Sequence, residues 1–403
     1  MSKREQNKII LLLGGLAALG PFAIDMYLPG FPAIAKDLNT DIARVGLSLT
    51  SYFIGISVGQ LIYGPLVDRF GRKKPLVIGL IIFVLAAIGC AFAPTVEWLI
   101  ALRLLLALGG CVGMVASRAV VRDVFPVEDI PRVFSMLVLV MGIAPIVAPT
   151  IGGFVTATFG WRYIFYVLAG IGAITLFAVG TFLKESRGAD PTLSLKPDKV
   201  LGEFMGVLKS RVFLTYALAA STAQAGLFAY IAGSPFVFME IFDLSETQYG
   251  WAFGLNAFGF ISGSQLNRLA LRRSTTAQVT LVAGAFQFVA GALLILGTLS
   301  GFLFTGAALL LIFTYMFSLG FLSPNATALA LGPFARNAGS ASALMGSFQM
   351  AIGALASILV SVLHNGTAIP MMAVMGGATI ISLSLLLGFK RYTSKTILEK
   401  QHA

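Results

Sequence analysis

Charge is scarce in this chain, and so are the residues that build metal sites and disulfides. Only 11% of its 403 residues are charged, and it has 2 cysteines and 2 histidines. A soluble domain carries about 25% charged residues, so the composition excludes a protein with water on all sides. The cysteines and histidines show no metal-ligand spacing, and no nucleophile–base cluster or phosphate-binding Gly-x-x-x-x-Gly-Lys-[Ser/Thr] loop occurs. We therefore predict no metal, no cofactor, no ATPase and no other enzyme.

Apolar sequence is what the chain has in abundance. Hydrophobic residues make up 57% of it, and its mean hydropathy is +0.90. Apolar runs of about 20 residues recur, and each is long enough to cross a bilayer as a helix. Because only Leu299–Gly301 separates spans 9 and 10, an eleven-span count stays open. We predict an all-α integral membrane protein with twelve spans, at about 8–30, 41–64, 74–94, 96–121, 131–156, 160–183, 210–238, 246–267, 275–298, 301–329, 338–362 and 367–390.

The net charge of +11 reports topology rather than a nucleic-acid partner. With the N-terminus inside, only Lys36, Arg44 and Arg162 fall in outer loops, while Arg103 and Arg118 lie within span 4. All other Lys and Arg residues fall in inner loops and tails. This positive-inside pattern predicts that both termini are cytoplasmic. The basic N-terminus precedes an apolar run too long for a secretory signal, which favours an uncleaved first span.

A long polar stretch from Lys184 to Arg211 divides the chain into two halves of six spans. We predict an N-terminal six-helix bundle at 1–184, a cytoplasmic linker at 185–209, and a C-terminal six-helix bundle with a short cytoplasmic tail at 210–403. A linker of this composition is typical of a tether between two bundles.

The two halves resemble one another at an offset of about 200 residues. Gly55 and Gly59 in span 2 correspond to Gly259 and Gly263 in span 8, and small residues four apart let helices pack closely in lipid. Parallel six-span repeats are typical of transporters in which two bundles rock. Chance similarity between two glycine-rich spans is the alternative. The second copy has Asn267 where the first has Asp68, so a charge-dependent role is one-sided.

Two formal charges lie inside the predicted membrane region: Asp25 in span 1 and Arg103 in span 4. At 1.5 Å per residue, each lies roughly 6–10 Å below the outer surface. An unpaired charge at such depth is costly, so the two can pair. One interpretation is a static ion pair, or Asp25 as a helix cap. The other, which we favour, is that Asp25 takes up and releases the coupling proton while Arg103 tunes it, since burial and a nearby arginine shift a carboxylate's pKa in opposite directions.

Span 5 and a set of neutral polar side chains offer weaker signals. Prolines four apart with flanking glycines predict either a kinked but passive helix or a bendable interface between the halves; the residues concerned are Gly142, Pro145, Pro149, Gly152 and Gly153.

Neutral polar groups in lipid often only bond neighbouring helices, yet they can also line a substrate cavity. The candidates for such a cavity are Tyr27, Tyr52, Gln224, Tyr230, Asn256, Asn325 and Gln349.

The densest charge in the chain follows span 2. Charge of this density cannot lie in hydrocarbon, so it predicts a short loop at the membrane surface, with flanking glycines for close packing and a tight turn. Its order, Gly64-x-Leu-x-Asp68-Arg69-x-Gly71-Arg72-Lys, resembles the loop between spans 2 and 3 of major facilitator transporters. Asp25-Met-Tyr-Leu-Pro, the span 5 motif, Arg118-Ala-Val-Val-Arg122-Asp123 and Ser323-Pro-Asn-Ala extend the similarity to twelve-span drug:proton antiporters of the bicyclomycin-resistance (Bcr/CflA) subfamily.

The resemblance implies the major facilitator fold and alternating access by rocking of two bundles around a central cavity. It implies a conformational latch in which Asp68 caps the inner end of span 11, and Arg72 joins Asp123 in a cytoplasmic charge network. The other latch residues are Gly64, Arg69, Gly71 and Arg122. Arg103 matches the family's span 4 arginine, which is linked to proton coupling. Leu106 and Ala107 depart from the usual polar residue and glycine beside it, which puts a hydrogen-bonded relay there in doubt.

From these signals we expect a monomeric, proton-coupled antiporter in the bacterial inner membrane that exports small amphipathic drugs, chloramphenicol- or bicyclomycin-like compounds among them. Its expected partners are such a substrate, protons and the lipid bilayer. A proton-coupled metabolite exporter of the same fold is the near alternative, and a channel or passive pore is the far one. A channel lines its path with rings of polar groups, usually across subunits, whereas here the membrane acid is single.

Overall fold

The computed structural model describes residues 3–126, 130–190, 197–301, 303–334 and 338–401, and within these ranges all regular secondary structure is helical. A 3₁₀ turn at Leu28–Gly30 follows the first helix, and a π-helical turn at Phe236–Ile241 follows the ninth. The α-helices are α1 Lys3–Asp25, α2 Phe31–Asp37, α3 Ile42–Phe70, α4 Lys73–Ala91, α5 Val96–Val124, α6 Ile130–Phe159, α7 Arg162–Phe182, α8 Pro197–Leu208, α9 Arg211–Pro235, α10 Glu246–Ala270, α11 Thr276–Leu299, α12 Thr305–Leu331, α13 Ala338–Val362 and α14 Ile369–Gln401.

Ten helical segments of the described residues are long and apolar enough to cross a membrane. The predicted all-α membrane protein is therefore confirmed. Spans 9 and 10, which the sequence barely separates, are two distinct helices, because α11 ends at Leu299 and α12 begins at Thr305. Helices α6 and α10 are not among these ten segments. The apolar part of α6, Ile143–Phe159, is shorter than each of the ten.

The chain forms two compact units. Unit 1 comprises Met1–Leu201 together with Pro235–Gly254, and unit 2 comprises Gly202–Ser234 together with Leu255–Ala403. In unit 1, α5 packs against α3 and α4, α4 against α7, and α1 against α6. In unit 2, α11 packs against α12 and α14. The polar stretch between the halves, predicted only as a linker, contains helix α8 at Pro197–Leu208.

The paired glycines allow close helix contact in both units. A methyl group at Gly55 would lie 2.6 Å from the Ala107 side chain, so α3 meets α5 without room for a larger residue. In unit 2, a methyl group at Gly263 would lie 2.1 Å from the Phe317 carbonyl oxygen, so α10 meets α12 in the same manner. The close packing predicted for the glycines of spans 2 and 8 is confirmed, and the partner helix is α5 in unit 1 and α12 in unit 2.

Candidate functional site

Arg103 is the most deeply buried cation among the described residues, with no exposed surface. Its Nη1 donates a 2.7 Å hydrogen bond to the Ala23 carbonyl oxygen of α1. Its guanidinium carbon lies 4.4 Å from the ring centroids of both Tyr27 and Tyr52. Two aromatic faces and one carbonyl therefore carry this charge, and contacts of this kind contribute about 2 kcal/mol or more when desolvated.

The Arg103 guanidinium still has unused donors. Its Nε and Nη2 are buried without a hydrogen-bond partner among the described residues. Leu106, one turn further along α5, is fully buried and offers no acceptor. Because a buried donor without a partner is costly, this part of the site favours any acceptor that can come within reach. The departure at Leu106 noted in the sequence thus coincides with an incomplete set of hydrogen bonds.

Asp25 ends α1 and is 96% buried, with only 4% of its surface exposed. No hydrogen bond or ion pair joins its carboxylate to another described residue, so the static Asp25–Arg103 pair considered as one interpretation is not formed here. The site therefore holds a buried acid and a buried base on adjacent helices, without a direct bond between them.

The Tyr27 side chain, which the sequence predicted to line a cavity, is held in place by several neighbouring side chains. Its hydroxyl lies 2.8 Å from the Ser48 hydroxyl of α3, and its ring packs edge-on against Phe31 with centroids 5.0 Å apart. Phe165 of α7 is a third neighbour, at 5.5 Å between centroids. The Tyr27 ring under Arg103 is thus held by contacts with three helices, α2, α3 and α7.

A second charged site lies at the turn between α3 and α4. The Arg72 side chain is only 3% exposed; its Nε donates to Asp123 Oδ2 at 2.7 Å, and its Nη1 donates to Asp68 Oδ1 at 2.7 Å. Nη1 also donates to the Val67 carbonyl oxygen at 2.8 Å. Burial alone would lower the pKa of Arg72, but the hydrogen bonds and charges of Asp123 and Asp68 raise it above its ordinary value. The guanidinium therefore stays charged, and this network is a fixed clamp.

Glu185 completes the clamp, although the sequence reasoning did not select it. Its Oε1 accepts from the Arg72 amide at 2.7 Å, and its Oε2 accepts from the Lys73 amide at 3.1 Å. The carboxylate thereby caps the N-terminus of α4, where unpaired amides and the helix dipole favour a negative charge. Ser186 donates to Asp123 Oδ2 at 3.1 Å, so the chain after α7 is bonded to the same turn. The available signal in the sequence was an acidic residue directly after span 6, on the same predicted side of the membrane as this turn.

The glycines of this turn have different roles. Gly71 has φ of +84°, and a methyl group there would lie 2.8 Å from Glu185 Oε2, so both backbone conformation and space require glycine. At Gly64 a methyl group would meet nothing within 4 Å, so the close packing predicted there is wrong. The reason is that α3 continues through Gly64 to Phe70, which makes most of the predicted loop the last turns of a helix.

The remaining latch residues lie around the same turn. The Arg69 carbonyl oxygen accepts a 3.0 Å hydrogen bond from the Asp190 amide. Arg122 is exposed, and its Nε donates to the Arg118 carbonyl oxygen at 3.4 Å. Asp68, with 52% of its side chain exposed, binds the buried Arg72 side chain. Its predicted capping of span 11 stays a prediction.

In unit 2 the corresponding position is neutral. Asn325 Nδ2 donates to Asn267 Oδ1 at 2.7 Å, and Asn267 Nδ2 donates to Asn325 Oδ1 at 3.3 Å. This reciprocal amide pair joins α10 to α12, so Asn325 is committed to a structural bond. Asn256 Nδ2 donates to the Tyr230 hydroxyl at 3.0 Å, and both side chains are buried. The other cavity candidates of unit 2, Gln224 and Gln349, are half-buried.

The span 5 motif lies in α6, which stays helical through Pro145 and Pro149. A methyl group at Gly152 would lie 2.1 Å from the Met26 carbonyl oxygen, directly after Asp25. At Gly153 it would lie 2.8 Å from the Glu246 carbonyl oxygen at the start of α10. The two glycines thus bring α6 against the end of α1 on one side and α10 on the other. Gly142 belongs to α6 but lies outside the residues whose side chains are described.

Comparisons with known proteins identify the family. The sequence profile of the Major Facilitator Superfamily matches residues 13–357. The chain belongs to the Major Facilitator Superfamily. It is 35% identical to the uncharacterized MFS-type transporter YdgK of Bacillus subtilis (strain 168), over 96% of each chain. It is 34% identical to a bicyclomycin resistance protein homolog of Haemophilus influenzae, over 93% of this chain and 94% of that one.

More distant relatives agree with this assignment. Multidrug resistance protein MdtL of Escherichia coli is 29% identical over 94% of this chain and 95% of its own. The fold matches a solved bacterial homolog of the human lysosomal transporter Spinster, with a TM-score of 0.73, 13% identity and 99% of both chains covered. It also matches the nucleoside transporter NupG, with a TM-score of 0.74, 16% identity and coverage of 95% and 99%.

The protein is thus a multi-pass transporter of the bacterial inner membrane and not an enzyme, and transporters of this superfamily handle small-molecule substrates. The resemblance to drug antiporters that the motifs predict is confirmed. Proton coupling, the identity of the substrate and the roles of individual residues stay predictions.

Proposed function

We propose that this transporter is a proton-coupled antiporter that exports small amphipathic drugs, of the chloramphenicol or bicyclomycin kind, by alternating access. The proposal includes twelve membrane-crossing helices with both termini in the cytoplasm, and a monomer as the working unit. Support for the substrate class comes from relatives named for bicyclomycin and multidrug resistance. The observation that carries the proposal is the Asp25–Arg103 site.

Asp25 has the environment expected of a proton-binding group. An ionised carboxylate in an apolar interior is costly unless it is paired, and Asp25 is buried without a partner among the described residues. Arg103, on the neighbouring helix, has two free donors that would stabilise the ionised carboxylate if the two groups approached. A conformational change that alters this distance would therefore couple release of the proton to the movement of helices.

The helix that could transmit such a change is α6. Gly152 brings it within van der Waals distance of Met26, the residue after Asp25, and Gly153 brings it to Glu246 of α10. A shift of α10 against α6 would therefore bear directly on the end of α1. A single charge crossing the membrane potential gains roughly 2.3 kcal/mol per 100 mV, enough for more than a tenfold gradient of the exported solute.

Transport in proteoliposomes tests the proposal. With an imposed pH gradient, the native protein should drive chloramphenicol or bicyclomycin uphill, whereas Asp25→Asn should abolish uphill transport and retain binding. Asp41→Asn is the matched control, because Asp41 is an exposed cap of α3 and asparagine caps helices equally well. Uphill movement by Asp25→Asn would remove Asp25 from the mechanism. If a resistance panel in an efflux-deficient host shows unchanged susceptibility to every drug, the exported solute is a metabolite.

A further inference from the structure

Unit 2 contains a groove that the transport site does not use. Its volume is about 460 Å³, and it lies between the end of α10 and the facing sides of α11 and α12. The apolar lining includes Val282, Phe286, Phe317 and Phe321. Val282 and Phe286 are 54% and 61% exposed, so the groove opens on the outer face of the helices and not into the core of unit 2.

Three of the polar side chains that line the groove are bonded within their own segments. Thr314 donates to the Leu310 carbonyl oxygen at 2.9 Å, and Ser318 donates to the Thr314 carbonyl oxygen at 2.9 Å. Gln278 is part of the capping box of α11, in which its Oε1 accepts from the Thr275 amide at 3.0 Å. The surface left for an occupant is therefore mainly apolar. From Gln278 to Phe286 it extends about 12 Å along α11, which suits a hydrocarbon chain.

The rim of the groove at one end is strongly basic. Ala270 and Ser274 line the groove, and the two residues Arg272 and Arg273 lie in the tight turn between them. Both arginines are exposed, and neither forms an ion pair with a described residue. The N-terminus of α11 begins in the same corner and adds a partial positive charge.

The contrast with unit 1 shows why this charge is uncompensated. Arg72 is neutralised there by Asp68 and Asp123. At the corresponding turn of unit 2, Asn267 replaces the aspartate and pairs with Asn325, which supplies no negative charge. An apolar groove next to two unpaired arginines has the chemistry of a phospholipid with a negative headgroup, and basic pockets between membrane helices bind such headgroups.

We propose that this groove binds one acyl chain of an anionic phospholipid whose phosphate is held by Arg272 and Arg273. Attraction between these two arginines and an anionic headgroup should give a preference of roughly thirtyfold over a zwitterionic lipid with the same acyl chains. The site belongs to unit 2 alone and is separate from Asp25 and Arg103. Lipid binding in this groove does not depend on transport of a drug.

Native mass spectrometry of the purified, delipidated full chain tests this site. Phosphatidylglycerol and phosphatidylcholine with identical acyl chains are titrated, and phosphatidylglycerol should be retained with the roughly thirtyfold preference. The double variant Arg272→Gln/Arg273→Gln should bind both lipids equally. The control Lys184→Gln/Lys209→Gln removes two exposed charges far along the chain from the groove and should keep the preference.

A second variant tests the acyl chain. Ala283 lines the groove, and Ala283→Leu should fill it and lower retention of both lipids at least tenfold, with a thermal midpoint close to that of the native protein. Preference for phosphatidylglycerol in the double arginine variant would overturn the headgroup assignment. Unchanged lipid retention in a folded Ala283→Leu protein would overturn the groove. Glycerol phosphate, which has the headgroup without the chains, should not displace the lipid; displacement would assign the site to a free phosphate compound instead.

Discussion

Asp68 and Asp123 both bind Arg72, but we expect the loss of Asp123 to act mainly on stability and the loss of Asp68 to act mainly on transport. The Arg72 side chain is only 3% exposed, and the Asp123 side chain is only 15% exposed. Removing one member of a buried ion pair costs about 3–5 kcal/mol. Because Arg72 keeps Asp68 and the Val67 carbonyl oxygen, we expect Asp123→Asn to cost about 2–3 kcal/mol of stability.

Asp68→Asn removes a pair of a different kind. The Asp68 side chain is 52% exposed, and exposed ion pairs contribute about 0–1 kcal/mol, so the fold should hardly change. If Asp68 is the latch that the family resemblance implies, its loss acts on the balance between conformations instead. Asp68→Asn should then weaken transport and favour inward-open states while drug affinity stays largely intact.

Three measurements on the same purified proteins separate these effects: the thermal midpoint in detergent, drug binding, and uptake into proteoliposomes. Asp123→Asn should lower the midpoint several times as far as Asp68→Asn, and only Asp68→Asn should lose uptake at a near-native midpoint. Asp243→Asn is the control, because Asp243 is exposed with φ of +56°, a conformation that asparagine accepts. Equal destabilisation by the two variants, or native uptake by Asp68→Asn, would refute the reasoning.

Two further predictions concern the contacts that hold the site. Glu185→Gln keeps the shape of the α4 cap but removes its charge, so it should cost about 1 kcal/mol of stability and speed proteolysis between α7 and α8. The control Lys184→Gln changes a residue that does not cap α4, so it should have neither effect. Gly152→Ala places a methyl group against the Met26 carbonyl oxygen, which should cost about 1–3 kcal/mol and impair transport, measured as thermal midpoint and uptake. Gly170→Ala in α7, where a methyl group meets nothing, should leave both unchanged; equal effects at the two glycines would contradict the assigned contact.

Much of the candidate site could be selected from the sequence because charge in a membrane segment is rare. Asp25 and Arg103 stand out as formal charges in apolar runs, and a bilayer makes each of them costly. The sequence did not indicate that Tyr27 and Tyr52 carry the Arg103 charge between them, because aromatic residues are frequent in any membrane helix. Tyrosines proposed for a substrate cavity are here the platform of the arginine.

Glu185 shows the limit of reasoning from sequence in unit 1. Its carboxylate meets the Arg72 amide more than a hundred residues away along the chain, and an isolated acid in a polar stretch has many possible partners. Gly64 shows the reverse error, since a glycine in a charged motif was expected at a close contact and has none.

The sequence by itself determined the solvent and the helical architecture, because apolar length and charge distribution are set residue by residue along the chain. Its motifs, by their resemblance to known transporters, also indicated the superfamily. The sequence also determined that Asn267 cannot repeat the role of Asp68. Only the tertiary structure decided which partners the charges take: Arg72 lies in a clamp of three carboxylates, Arg103 lies between two rings, and Arg272 and Arg273 remain without a described counter-charge. The physical reason is that pairing depends on distances across helices, which the order of residues along the chain does not specify.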